Sequence, residues 1–158
     1  MINIRTADEI ERIRESGRIV GGALDLAGEI ISAGVSTERI NREIDDFIRD
    51  HGGTPECLGF HGYPASICAS INEEVVHGIP GTRELREGDI IGVDVGVRKN
   101  GYVADAARTF AVGGIDDETE RLVGVTRKAL NRALGLVREG VHLSDISHAI
   151  QRIAEDAG

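Results

Sequence analysis

The stretch Ile90–Val112, which reads IIGVDVGVRKNGYVADAARTFAV, decides the fold of this chain. It predicts a β-hairpin, because apolar residues alternate along its first half and Asn100-Gly101 favours the two-residue type I′ turn that joins antiparallel strands. With that turn, Gly96 lies opposite Asp105. Asp94 and Asp105 are then diagonal neighbours on one face of the hairpin, so their side chains can converge.

Two carboxylates on one face of an apolar hairpin repel each other and lose hydration, so we expect a cation between them. One divalent metal ion, or a pair of ions about 3.5–4 Å apart, meets that need. A salt bridge from Arg98 or Arg108 is an alternative, and so is simple exposure at the edge of the sheet. The hairpin by itself leaves these explanations open.

Composition narrows the class of protein. The chain has 158 residues, of which 41% are hydrophobic and 28% are charged, as in globular proteins. The net charge of −9 and the lack of a long basic run argue against nucleic acid as the main partner. The segment Met1–Arg14 is charged and helix-patterned, and no stretch approaches a membrane span, so we expect a cytoplasmic protein with no membrane contact. Cys57 and Cys68 are then predicted to be free thiols, with a disulfide as the alternative.

A pair of amphipathic helices occurs twice in the sequence. The first pair is predicted from the capping box at Thr6 to Gly34 and from Ser36 to the glycines at 52 and 53. A shift of 106 residues places Gly34 on Gly140 and places the apolar positions of the first pair on those of the second. We interpret this match as an internal duplication.

The duplication predicts the domain organisation. Residues 1–113 form a first half with helices and strands, and residues 114–158 form the helix pair of a second half. Because the second pair is not followed by strands of its own, we expect a single incomplete domain. The predicted class is α+β, with helices packed on an antiparallel sheet.

Residues 57–80 lie between the helix pair and the hairpin and contain further candidate site residues. Phe60 and Tyr63 occur close to Cys57 and Cys68, and soft apolar side chains of this kind form pockets for a thioether or a short aliphatic group. An ordinary position in the core is the alternative for all four.

Two histidines of this segment are candidates for polar roles. His77 precedes Gly-Ile-Pro at the end of a predicted strand, where a side chain is held rigidly. His61 lies in a glycine-flanked turn and is a second polar group for the pocket. A structural role is the alternative for a lone histidine.

Three motifs resemble type I methionine aminopeptidases: FHGYP at 60–64, SINEEVVHGIP at 70–80, and GDIIGVDVG at 88–96 with the following hairpin turn and Asp105. The similarity extends from about Ile4 to the end of the chain. Together these motifs are more specific than a single glycine-rich pattern.

The resemblance implies a pita-bread fold of two pseudo-symmetric halves and the removal of the initiator methionine from new polypeptides. It implies two divalent metal ions (Co, Mn, Fe or Zn) held by two aspartates, one histidine and two glutamates. By motif match, Asp94 and Asp105 are the two aspartates, and His77 contacts the substrate amide or its tetrahedral intermediate. The substrate pocket implied by the same match, with His61 added, comprises Cys57, Phe60, His61, Tyr63, Cys68 and His77.

The ligand histidine and both ligand glutamates of that family have no counterpart by motif in these 158 residues. We therefore expect little or no activity from this form by itself. Two alternatives stay open: a non-catalytic peptide-binding module, and a homo-oligomer in which one chain covers the sheet edge of another. The expected partners are nascent chains with N-terminal methionine, and the ribosome.

Overall fold

The computed structural model describes residues 3–158; Met1 and Ile2, at the start of the charged N-terminal segment, lie outside the described residues. The chain divides into two compact units, the first ending at Gly114 and the second spanning Ile115–Gly158. Among the helices that the structure describes, none has both the length and the apolar character needed to cross a membrane.

The first unit begins with two helices, α1 (Ala7–Ile30) and α2 (Thr37–Asp50). The capping box at Thr6 is confirmed. Helix α1 ends four residues before the expected end at Gly34, because Ile31 is already extended and the chain turns back. Gly34 has a φ of 84°, and its N–H donates to the carbonyl of Leu85 at 2.8 Å. That bond ties the helix connection to a distant loop, which no local pattern indicates.

A four-stranded antiparallel sheet follows, built around the predicted hairpin. One edge of β3 pairs with β2 and β1, and the other edge pairs with β4. The predicted register is confirmed, since Gly96 pairs with Asp105 and the turn residues Asn100 and Gly101 have φ values of 51° and 81°. The strands are β1 (Thr54–Pro55), β2 (Cys68–Ile71), β3 (Ile90–Lys99) and β4 (Tyr102–Ala111).

The core lies on one face of this sheet, beneath α1 and α2. Successive side chains of β3 point to opposite faces, so one set enters the core while Asp94 lies on the other face. That second face is where the candidate metal ligands are. The core side chains of β3 are Ile91, Val93, Val95 and Val97, and those of the helices include Val20, Leu24, Ile40, Ile44 and Ile48.

The second unit is a helix pair, α3 (Asp117–Leu134) and α4 (Leu143–Glu155). The side chain of Asp116 caps α3 by accepting from the N–H of Thr119 at 2.7 Å. Gly34 and Gly140, which the repeat places at equivalent positions, have φ values of 84° and 82°. The predicted α+β class, with an antiparallel sheet and helices, is confirmed.

Candidate functional site

A cavity of about 440 Å³ lies at the face of the sheet opposite α1 and α2. All eight candidate residues predicted from the sequence border it, although they come from strands β2, β3 and β4 and from two loops. Glu56 borders it as well. The lining residues are Glu56, Cys57, Phe60, His61, Tyr63, Cys68, His77, Asp94 and Asp105.

The two aspartates repel each other, and among the described residues His77 offsets only part of the charge of Asp94. Partial burial, and then the nearby charge of Asp105, raise the pKa of Asp94. Arg98 pairs with Glu56 through a 2.8 Å hydrogen bond, and Arg108 pairs with Asp25 at 2.9 Å. The salt-bridge alternative is therefore wrong, since no ion pair among the described residues includes either aspartate. Asp94 is half-buried and Asp105 is exposed. A pair of carboxylates with this surplus of negative charge fits a divalent cation.

His77 is held in an unusual backbone conformation. Val76 and His77 have φ values of 44° and 52°, in the left-handed region that side chains rarely occupy. Such strain persists only where the surroundings fix the chain. Here the N–H of Gly78 donates to Ser70 Oγ at 3.1 Å, and the Gly78 carbonyl accepts from the N–H of Ala69 at 2.9 Å. The exposed imidazole is thereby positioned over β2, with Nδ1 3.7 Å from Cys68 Sγ.

The wall of the cavity is formed by thiols and a phenol. Cys57 and Cys68 are both free, as predicted. Burial raises the pKa of the Cys57 thiol to about 11, so it is neutral near pH 7. Burial also raises the pKa of Tyr63, whose hydroxyl lies 2.9 Å from the Gly78 carbonyl and 3.1 Å from that of Ile67. These groups give the cavity an uncharged wall next to the charged aspartates.

Phe60 and His61 form the rim rather than the wall. The Phe60 side chain is 63% exposed, and the His61 ring meets it edge-on with centroids 4.4 Å apart. His61 also has a left-handed φ of 48°. Both residues thus border the opening of the cavity.

Glu56 was not identified from the sequence. Its N–H donates to the carbonyl of Gly96 at 2.9 Å, which brings it beside the aspartates. This position depends on the pairing of β1 with β3 across more than forty residues. No motif marks it, and the only local signal is its place next to Cys57.

Comparisons with known proteins identify the family of this chain. The model of metallopeptidase family M24 matches residues 11–158. The chain is 46% identical to the methionine aminopeptidase of Clostridium acetobutylicum, and that alignment covers 100% of this chain and 64% of the relative. It is 40% identical to that of Escherichia coli, covering 99% of this chain and 60% of the relative.

Solved structures of methionine aminopeptidases are also similar to this chain. A methionine aminopeptidase from Thermotoga maritima, 37% identical, superposes with a TM-score of 0.98 over 100% of this chain and 64% of that one. A prolidase from Pyrococcus furiosus, 20% identical, has a TM-score of 0.85 over 98% of this chain and 44% of that one, which shows a shared fold alone.

The fold is therefore the expected pita-bread fold, the scaffold of a class of metal-dependent peptidases. The chain belongs to metallopeptidase family M24. Membership of that family implies binding of divalent metal, which agrees with the donor set of the cavity. The chain spans about 60–64% of the length of the curated relatives described above.

Proposed function

We propose that this chain provides the aspartate half of a two-metal aminopeptidase site that removes N-terminal methionine from new polypeptides. One observation carries the proposal: two carboxylates that form no ion pair among the described residues, an exposed imidazole and a wall of thiols and a phenol border one cavity in a chain of family M24. The similarity to methionine aminopeptidases supports the choice of substrate.

Asp94 and Asp105 would hold the ions, which supply polarisation of the scissile carbonyl and activation of water. Partial burial, and then the nearby charge of Asp105, disfavour the charged form of Asp94, and a cation placed against the two carboxylates favours it. Their contribution is therefore concentrated negative charge in a fixed position. Co, Mn, Fe and Zn are the candidate metals.

His77 and the cavity wall would act on the substrate itself. An N–H of the His77 imidazole would donate to the substrate oxygen on which negative charge develops. The fixed backbone of His77 supports this role, because a donor that is already oriented needs no rearrangement during the reaction. Tyr63, Cys57 and Cys68 would enclose the methionine side chain, whose thioether suits soft neighbours.

The 158-residue form would have activity near zero by itself. A hard divalent ion takes six or more oxygen ligands, and two carboxylates leave most positions to water, so the ions would be weakly held. Assays of methionine release from a Met-Ala peptide with added Mn²⁺ or Co²⁺ test this directly. Robust metal-dependent release by this chain alone would contradict it.

The roles of Asp94 and His77 separate in a chain that carries all five family ligands. There, with Mn²⁺ as the metal, Asp94→Ala would lower metal affinity, whereas His77→Ala would mainly lower kcat and leave the Mn²⁺ bound. Metal content by mass spectrometry and peptide turnover are both measured for each variant. Loss of Mn²⁺ from His77→Ala would contradict the role given to His77.

The proposed partners are nascent chains with N-terminal methionine, and the ribosome, in the cytoplasm. A second candidate function rests on strand β4, which among the described strands pairs only with β3. Its free edge is able to pair with a second copy, which would bring two aspartate pairs together or form a non-catalytic peptide-binding dimer. The mass of the species in solution, measured alongside the peptide assay, distinguishes these outcomes.

A further inference from the structure

Three donor atoms of different chemistry meet in the cavity. Cys68 Sγ, a ring nitrogen of His77 and a carboxylate oxygen of Asp94 all lie within 4.8 Å of one another. The distance from Cys68 Sγ to His77 Nδ1 is 3.7 Å. In a tetrahedral zinc site, the bond lengths to sulfur, nitrogen and oxygen place the ligand atoms about 3.4–3.6 Å apart. The sulfur–nitrogen pair is therefore close to a zinc-binding distance already, and the Asp94 oxygen lies within 4.8 Å of both atoms.

We propose that Cys68, His77 and Asp94 form a site for one thiophilic divalent ion, with Zn²⁺ as the natural occupant. A thiolate and an imidazole prefer Zn²⁺ to hard ions such as Mn²⁺ or Mg²⁺. Binding breaks the S–H bond of Cys68, forms a Zn–S bond and releases the proton to the buffer. The site shares Asp94 with the aspartate pair but does not depend on the proposed peptidase activity.

The backbone holds these donors before any ion arrives. Cys68 on β2 pairs directly with Asp94 on β3, so the two side chains are neighbours on the same face of the sheet. His77 is fixed by its left-handed backbone and by the hydrogen bonds of Gly78 to Ser70 and Ala69. Little ordering is then needed when an ion binds, which favours affinity.

The other donors of the cavity fall outside this cluster. Cys57 and Asp105 border the same cavity but are not among the three residues whose donor atoms lie within 4.8 Å of one another. A fourth position of a tetrahedral ion is thus left for water or a ligand, as in zinc sites with three protein ligands. Cys57 therefore offers a matched control for Cys68, since both are free thiols on one cavity wall.

Titration of this chain with Co²⁺, a spectroscopic substitute for Zn²⁺, tests the proposal. We expect a thiolate-to-cobalt charge-transfer band in the near ultraviolet, and its loss when one equivalent of Zn²⁺ is added. Cys68→Ser removes the band and lowers Zn²⁺ affinity by about tenfold or more, whereas Cys57→Ser retains both. A band that survives in Cys68→Ser, or that disappears in Cys57→Ser, overturns the assignment.

A second pair of variants covers the case in which replacement of buried Cys68 disturbs folding. His77 is exposed, so His77→Gln leaves the fold intact, as circular dichroism would check, while lowering Zn²⁺ affinity by about tenfold or more. His61→Gln, on the rim of the same cavity, leaves the affinity unchanged. Equal Zn²⁺ affinity in His77→Gln and the unmodified chain overturns the site. Methionine release is measured separately, so failure of the zinc site and failure of the peptidase proposal are distinguishable.

Discussion

Gly96 lies directly opposite Asp105 across the β3–β4 hairpin, and the missing side chain leaves room for the Asp105 carboxylate. A Cβ at residue 96 would lie 3.0 Å from Asp105 Oδ2 and 3.1 Å from the Cβ of Glu56. Both distances are shorter than ordinary van der Waals contact. The hairpin register thus sets the position of Asp105, and the glycine allows its carboxylate to turn toward Asp94.

Gly96→Ala should therefore displace the Asp105 carboxylate and weaken divalent metal binding. The added methyl group should also cost about 1–3 kcal/mol in the free energy of unfolding, as overpacking of closely packed sites does. Urea denaturation and Mn²⁺ titration measure the two effects. Gly92→Ala is the control, because it lies on the same face of β3 and its Cβ would have only an ordinary 3.8 Å contact with Ser70 O. Equal metal affinity in both variants would contradict the role of Gly96.

Gly78→Ala should destabilise the loop that carries His77. A Cβ at residue 78 would lie 2.4 Å from the carbonyl oxygen of Ala69, and that backbone atom belongs to a strand and cannot move aside. We expect a loss of about 1–3 kcal/mol or more in the free energy of unfolding. Gly81→Ala, which would have no neighbour within 4 Å, should change it by less than about 0.5 kcal/mol. Similar urea midpoints for the two variants would refute the proposed close packing.

The sequence predicts the hairpin well because its register depends on neighbouring residues. A two-residue Asn100-Gly101 turn allows one pairing, and that pairing fixes Asp94 and Asp105 on one face. The pairing of Cys68 with Asp94 could not be derived in this way, since eighteen residues lie between Ile71 and Ile90 and no short turn sets the register. Motif resemblance placed both residues at the site, but only the structure shows that they are direct neighbours.

Features that depend on long-range hydrogen bonds also could not be predicted from the sequence. The connection after α1 is held by a bond between Gly34 and Leu85, and the left-handed backbone at His77 is held by bonds from Gly78 to β2. The pairing of Arg98 with Glu56 rather than an aspartate is of the same kind. Each involves residues far apart in the chain, so local propensity carries no signal for it.

The aspartate pair predicts an unusual pH dependence of stability in the absence of metal. The folded-state pKa of Asp94 is raised, chiefly by burial, above its value in the unfolded chain. Its contribution to stability is therefore fully present below about pH 4 and is lost as the pH rises through the folded-state pKa. Asp94→Asn should remove this loss. Above the folded-state pKa of Asp94, the variant should be more stable than the unmodified chain by roughly 0.2–1 kcal/mol, the scale of cross-strand charge pairs.

Urea denaturation in the presence of EDTA at several pH values measures this difference. Asp89→Asn provides a control of opposite sign, since the Asn72 amide, followed by the Arg86 N–H, lowers the pKa of Asp89. Asp89 should stabilise the folded chain above its unfolded pKa, and that contribution should be lost as the pH falls through its lowered folded-state pKa. An Asp94→Asn variant that is no more stable than the unmodified chain at neutral pH would contradict the repulsion between the aspartates.

Binding of Mn²⁺ should depend on the carboxylates and not on the imidazole. Mn²⁺ prefers oxygen donors, which Asp94 and Asp105 provide and His77 does not. Asp105→Asn should lower Mn²⁺ affinity by about tenfold or more, whereas His77→Gln should leave it within about twofold. Calorimetric titration of the 158-residue chain gives both values, and Asp116→Asn, at the cap of α3, controls for a general loss of negative charge.

The same His77→Gln variant should lose Zn²⁺ affinity, because that ion also uses Cys68 and His77. If His77→Gln weakened Mn²⁺ and Zn²⁺ equally, the two ions would share one set of ligands, and the separation between hard and thiophilic sites would be wrong.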